Sequence, residues 1–397
     1  MLKEEKKIGN KRRFICSILV ILISVLFSGN IFADLIIEEY FLDLKPENHV
    51  KSIYSNDKKD ELKKEEVHYD DIENLIHLFN PEILNNWNNW ENNKSAQDIY
   101  DNYQSAADKL YNSASSQDSD LQEAMLGAQG IAMQIQADKN ASDSYTNFLT
   151  NYLIEKQLVL QTKIIDLNYQ KSAYELIKAN DALEEARNKE SLATNALNAG
   201  SGTQIDLLNA KKAVADARSN QVLAESNQKT NKRNLLINCG KQANDSVYVA
   251  PVDFIVDANK VMSINLNDDY QHALSHNIQR EIYRRKIDNA RTEEVKNELK
   301  ISYDASSEKI YNDLEKKYSD ILDAIDTVNN RQISLNLANS NYTKANNEFA
   351  HGNISEKELR TASYEVKVAN SNLVIANYDL KIAYETYNDA VKGYSDC

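Results

Sequence analysis

The sequence predicts an all-α protein made of two tandem repeats of long antiparallel coiled-coil hairpins, joined by a short mixed connector and without a transmembrane β-barrel. Three observations predict this. Only three prolines occur in 397 residues, Pro46, Pro81 and Pro251, and proline is the residue that a helix interior excludes. Apolar residues recur at alternating three- and four-residue spacing over long stretches, the period of a helix that buries one edge. Glycine is scarce, and Gly200, Gly202, Gly240 and Gly352 fall at the ends of those stretches, where glycine relieves a helix terminus. Low mean hydropathy, −0.60, fits narrow apolar seams rather than a wide core.

The chain begins with a basic segment, Lys6 to Arg13, then an apolar run from Phe14 to Phe27 and a small-residue end at Ala33. This is the pattern of a secretory signal over 1–33, with an uncleaved anchor as the rival reading. No later run is long and apolar enough to span a bilayer as a helix. Residues 34–94 form an N-terminal extension, charged and punctuated by Trp87 and Trp90, with a short amphipathic helix ending before Pro81. Both tryptophans read as packing residues.

The first hairpin repeat covers 95–240. Helical patterns run from about Ser95 to Asn140 and from Ser142 to Asn198, and Gly200-Ser-Gly-Thr203 makes the turn. Thr203 caps the return helix, whose edge is Leu207, Ala210, Val214, Ala217 and Ala224, with Gln221 as an interruption. The connector, 241–268, holds short β-like runs around Pro251.

The second repeat covers 269–397. Tyr311, Leu314, Tyr318, Ile321, Ile325 and Val328 form its outgoing edge, and His351-Gly-Asn353 makes its turn. Ser355 and Glu358 have the spacing of a capping box. From Leu359 to Ala390 the three-four spacing continues without a miss, which demands a partner helix. At 1.5 Å per residue the arm from Ser355 to Val391 is roughly 55 Å long, and the longer arms reach about 70–85 Å. Placing Gly200 on Gly352 puts Leu183 on Leu335, Ala186 on Ala338, Thr203 on Ser355, Asp206 on Glu358 and Leu207 on Leu359. Turn, cap, acid and stripe keep register, which reads as an internal duplication.

The formal charge is −14, and no basic patch suits phosphate, so nucleic acid is excluded as a partner. The acidity is a solvated surface or, alternatively, a negatively lined passage. Cys239 and Cys397 are too few for a disulfide framework; they pair between the repeats or remain two thiols. His272 and His276 are the only histidines spaced i, i+4, and they lack the glutamate of a zincin motif. The sequence therefore offers no metal, cofactor or catalytic constellation, which argues against an enzyme.

Ala196 to Ala210, and Asn347 to Ala362, resemble the hairpin tips of TolC-like outer-membrane efflux proteins, and Tyr270 to Asn277 resembles the segment that opens each repeat in that family. The resemblance covers about 95–393. It implies a homo-oligomer, trimeric in that family, that encloses a helical tunnel and meets an inner-membrane transporter or adaptor protein at its tips. Gly200, Gly202, Thr203, Gly352, Asn353 and Ser355 would then be the docking tips. Asp206 and Glu358 would be pore-lining acids; alternatively they only favour the helix N-terminal dipole. A further acid found three residues later in the family is replaced by Asn209 and Thr361. The family's barrel strands precede each tip, but Ala137 to Tyr145 and Glu298 to Ser307 cannot hold a membrane-crossing pair, and only Lys300 to Tyr303 reads as strand-like. The implied function is an export conduit or docking component; a coiled-coil spacer or a surface-binding rod of the cell envelope are the other readings.

Overall fold

A computed structural model describes residues 40–41, 44–46, 49, 56–92, 95–117, 120–139, 142–244 and 246–395. The predicted leader and Cys397 lie outside these residues. The helices, in order, are α1 (Asn56–Leu62), α2 (Ile72–Phe79), α3 (Pro81–Asn92), α4 (Ser95–Ala114), α5 (Asp120–Lys139), α6 (Ser144–Asn198), α7 (Gln204–Asn238), α8 (Ala258–Met262), α9 (Leu266–His276), α10 (Ile278–Asn289), α11 (Glu293–Ala350) and α12 (Glu356–Val391). The strands β1 (Glu66–Val67) and β2 (Tyr248–Val249) pair in parallel, Glu66 opposite Tyr248. Among the described residues no helix is long and apolar enough to cross a membrane.

Two hairpins dominate. α6 pairs with α7, α11 pairs with α12, and the hairpins lie side by side through α6 and α12. Each has one long and one short arm. α6 has 55 residues and α7 has 35; α11 has 58 and α12 has 36. The excess, roughly 30 Å at 1.5 Å per residue, is lined by shorter helices. α2 and α3 pack on α6, while α10 packs on α11 and α6.

The short arms end in one construction. α7 stops at Gly240 (φ 66°) and α12 at Gly393 (φ 82°). The amide of Lys241 bonds Leu236 O at 2.8 Å and that of Tyr394 bonds Asp389 O at 3.3 Å, the six-to-one bonds of a Schellman cap. A Cβ on Gly240 would sit 2.1 Å from Phe79 O, and one on Gly393 would sit 2.2 Å from His276 O. An asparagine follows each of those residues. Asn80 Oδ1 accepts from the amides of Glu82 (2.9 Å) and Ile83 (3.1 Å), and Asn277 Oδ1 accepts from that of Arg280 at 2.8 Å. Each asparagine therefore caps a new helix where a returning helix abuts it. Asn80 Nδ2 also donates to Asn238 O at 2.8 Å, and the amide of Ile278 donates to Gly393 O at 3.1 Å.

The largest core sits at this root. Val67, Ile72, Leu75, Ile76, Ile83 and Trp87 pack on Phe148, Leu149, Leu153 and Val159 of α6 and on Leu235, Leu236 and Cys239 at the end of α7. A second cluster joins Ala273, Ile310, Leu314, Ile321, Tyr387 and Ala390. Between the hairpins the connector inserts Val252 and Phe254 against Leu167 and Tyr378. Towards the first tip the core thins to Leu183, Ala186 and Ala217. The interrupting Gln221 turns out to bridge the pair, Nε2 donating to Asn180 Oδ1 at 2.7 Å.

Three expectations are corrected. The pattern from Ser95 to Asn140 breaks after Ala114, and α4 and α5 fold on each other as a further helical hairpin. Lys300 to Tyr303 is helical, inside α11, because the surrounding run carries no proline or glycine to stop the helix. Of the β-like runs around Pro251, Tyr248–Val249 is a strand, whereas Phe254 to Val256 is irregular and pairs with no strand among the described residues.

Candidate docking tips of the two hairpins

The sequence of each tip dictates its geometry. α6 runs out at Ala199, and Gly200 takes φ 74°, a left-handed conformation that costs a residue with a Cβ roughly 1–2 kcal/mol. The amide of Gly200 then bonds Leu197 O at 3.0 Å and that of Ser201 bonds Ala196 O at 2.9 Å. At the second tip Gly352 also has φ 74°; its amide bonds Phe349 O at 2.9 Å, and that of Asn353 bonds Glu348 O at 2.9 Å. Both tips are Schellman caps with the same bonding pattern. A Cβ on Gly200 or Gly352 would meet nothing within 4 Å, whereas one on Gly202 would lie 2.9 Å from the Ala196 side chain. The second glycine is thus required by close approach.

The return helices start on capping boxes. Thr203 Oγ1 accepts from the Asp206 amide at 3.1 Å, and Asp206 Oδ2 accepts from the Thr203 amide at 3.1 Å. Ser355 Oγ accepts from the Glu358 amide at 3.3 Å, and Glu358 Oε2 accepts from the Ser355 amide at 2.8 Å. The bonds from the Thr203 side chain and backbone hold Asp206 below the usual carboxylate range, and those from the Ser355 backbone and side chain do the same for Glu358. Both acids are fully exposed and ionised, and each is tied into its own helix start.

Apolar side chains beyond the hairpin seams remain exposed on the two outer arms. On α7 these include Ile205 (69% exposed), Leu208, Val222 and Leu223; on α11 they include Ile333 (65%). A groove of about 300 Å³ runs between α11 and α12 beside Leu337, Ala338, Tyr364 and Val368.

No family profile and no characterised protein matches the sequence. Solved structures do match the fold. A membrane protein from Pseudomonas aeruginosa superposes with a TM-score of 0.51 over 83% of this chain and 94% of its own, at 11% identity. The open-state outer membrane channel MtrE of Neisseria gonorrhoeae superposes with a TM-score of 0.50 over 82% of this chain and 89% of its own, at 10% identity. The fold is TolC-like. The likeness spans nearly the whole length of both solved chains. In this version of it, the segment between α3 and α6 is the helical pair α4–α5, and only residues 290–292 separate α10 from α11.

A third grouping was not legible in the sequence. Glu155, 1% exposed, lies on α6 within reach of His77 on α2 and His49 in the N-terminal segment. His77 Nδ1 is 3.0 Å from Oε1, His49 Nε2 is 3.3 Å from Oε2, and Trp87 Nε1 donates to Oε2 at 2.6 Å. Burial pushes the carboxyl up, but the hydrogen bonds and charge of the two histidines outweigh it and hold Glu155 at about 2. The four residues come from four separate segments, so no spacing signal announces them. His272 and His276, the pair that spacing does single out, stack face to face at 3.9 Å. Their Nδ1 atoms lie against carbonyls, 3.0 Å from Val391 O and 2.8 Å from His272 O. Cys239 is fully buried, and its candidate partner Cys397 lies outside the described residues.

Proposed function

We propose that this chain is an exported, duplicated TolC-like helical conduit or docking component of an envelope export system, closing into a homo-oligomeric ring and engaging an inner-membrane transporter or adaptor protein through its two tips. The observation that carries this reading is the pair of unlike apolar flanks on α7 and α11. Within one chain α6 and α12 are paired, so the outer arms are left as the hairpins' free edges. A face on α7 meeting a different face on α11 is a heterologous contact, and such contacts build a ring when the rotation between copies closes.

The duplication is supported by the matched tips and by the matched root caps, Gly240 over Phe79-Asn80 and Gly393 over His276-Asn277. On this reading Asn80 and Asn277 mark equivalent points, so each repeat begins with its short root helices and α4–α5 is an insertion in the first. The work is passive: helices enclose a passage, and the exposed ends of both hairpins, Gly200 to Thr203 and Gly352 to Ser355, offer a surface to a partner's helical hairpin. Asp206 and Glu358 set the tip's negative charge while serving as caps.

The test is the native mass of the purified mature protein, with and without detergent. A ring of three or more copies supports the conduit; a stable monomer supports a coiled-coil spacer. Val at both Gly200 and Gly352 is expected to abolish cross-linking at the tips while leaving the ring intact, and cross-linking that persists would remove the tips as the docking surface.

A further inference from the structure

The N-terminal segment and the root of the first hairpin meet at a set of donor atoms that the export reading does not use. We propose that His49, His77 and Glu155 bind one divalent transition-metal ion of the zinc class, which staples the N-terminal segment to α6. Two imidazoles and one carboxylate are a recognised donor set for zinc, with arms of about 2.0–2.2 Å and a fourth position open to water. Arms of that length in a tetrahedron place ligand atoms about 3.3 Å apart. The carboxylate–imidazole distances here are 3.0, 3.2 and 3.3 Å. All three residues offer a ligand atom within 4.8 Å of the others. The site therefore needs only small side-chain movements to close on an ion.

The surroundings have the features such a site requires. Trp87 Nε1–H fixes one carboxylate oxygen from outside the triad at 2.6 Å, as outer partners orient metal ligands elsewhere. Aromatic rings wall the cluster, with Trp87 5.1 Å and Tyr152 4.9 Å from the His49 ring. Glu155 and His77 are buried, while the His49 side chain keeps 20% of its surface exposed, which provides a way in. In the metal-free arrangement the ring N–H groups face the carboxylate. On binding, each imidazole turns a lone pair rather than an N–H to the ion, so any proton on the facing nitrogen is given up. The stacked His272 and His276 do not form such a focus, because among the described residues no third His, Cys, Asp or Glu ligand atom joins them.

The full chain, stripped with chelator and dialysed, is titrated with zinc(II) alone, with calorimetry and elemental analysis as readouts. One zinc per chain is expected, with affinity falling at least tenfold in His49→Asn, His77→Asn and Glu155→Gln and unchanged in His272→Asn/His276→Asn. His49→Asn guards against misfolding, because its ring is partly exposed. Cobalt(II) in place of zinc adds a spectroscopic readout, a four-coordinate absorption present in the native chain and lost in His49→Asn. Failure of the native chain to retain zinc overturns the proposal and leaves a buried carboxylate neutralised by its histidines. Equal binding by native chain and His49→Asn, or loss in the His272/His276 variant, overturns it as well.

Discussion

Gly200 and Gly240 share a left-handed backbone but not an environment. A Cβ on Gly200 points into open space, so Gly200→Ala carries only the conformational cost, about 1–2 kcal/mol. A Cβ on Gly240 would lie 2.1 Å from a backbone oxygen of α2, so Gly240→Ala must move one element off another and should cost more than about 3 kcal/mol. Chemical denaturation of the two variants measures the difference, and the same ordering is expected of Gly352→Ala and Gly393→Ala.

Asp166 is the other residue with a sharp consequence. It is fully buried on α6, its Oδ2 has no hydrogen-bond partner, and Gln170 donates to Oδ1 at 3.2 Å. Burial raises the carboxyl to about 7, against a small downward pull from Gln170. The folded chain therefore holds this proton up to about pH 7, whereas the unfolded chain releases it near 4. Between those values unfolding releases a proton, so stability falls as pH rises from about 4 to about 7 and is flat above. Asp166→Asn should remove that slope and stabilise the protein at pH 8 by up to about 4 kcal/mol. Asp389, raised by burial to about 6 against the pull of Lys392, Lys163 and Lys156, adds a slope of the same sign that the substitution leaves in place. Unfolding of both proteins across pH 4–8 isolates the Asp166 part as their difference.

At the scale of elements, the seam between α6 and α12 combines apolar and polar contacts. Lys171 reaches Asp379 at 2.9 Å, Lys367 reaches Asp181 at 3.2 Å, and Lys178 reaches Asn372 at 3.2 Å. The two ion pairs are each solvent-exposed on one side, which limits each to about 0–1 kcal/mol. Tyr378, buried against Leu167 and Val252 with the Phe254 ring 4.8 Å away, carries far more. Tyr378→Ala should cost about 3 kcal/mol or more and should free α12 from α6 in hydrogen exchange, whereas Lys171→Ala/Lys367→Ala together should cost about 1–2 kcal/mol at most. The long arms were legible because their signals are local: Leu207 to Ala224 and Leu359 to Ala390 announce their seams by period, and Gly200 and Gly352 announce their turns by position. What was not legible is what distant segments bring together. Asn80 and Asn277 do the same job, but one precedes Pro81 and the other Ile278, so the root caps share no obvious string of residues. Glu155 lies within a periodic helix like many other acids, and only the fold brings His49, His77 and Trp87 to it.

For the whole molecule, the arrangement of the arms makes a prediction about assembly that no single hairpin can. A ring built by α7 of one copy against α11 of the next uses each flank once per chain. Glutamate at Leu223, 59% exposed on α7, or at Ile333, 65% exposed on α11, places a charge in an apolar contact without disturbing either hairpin's own seam. Each variant alone should then be monomeric, with unchanged helix content. An equal mixture of Leu223→Glu and Ile333→Glu, however, retains one intact contact, the native α11 flank of the first against the native α7 flank of the second. That mixture should form a one-to-one heterodimer and stop there, because the remaining flanks both carry a charge. A self-complementary contact, in which the same face meets itself, predicts the opposite: a homodimer for whichever variant leaves that face untouched and no gain on mixing. Light scattering of the two variants, apart and mixed, separates the outcomes, and a heterodimer would fix the polarity of the contact as head-to-tail, the kind from which a ring is built.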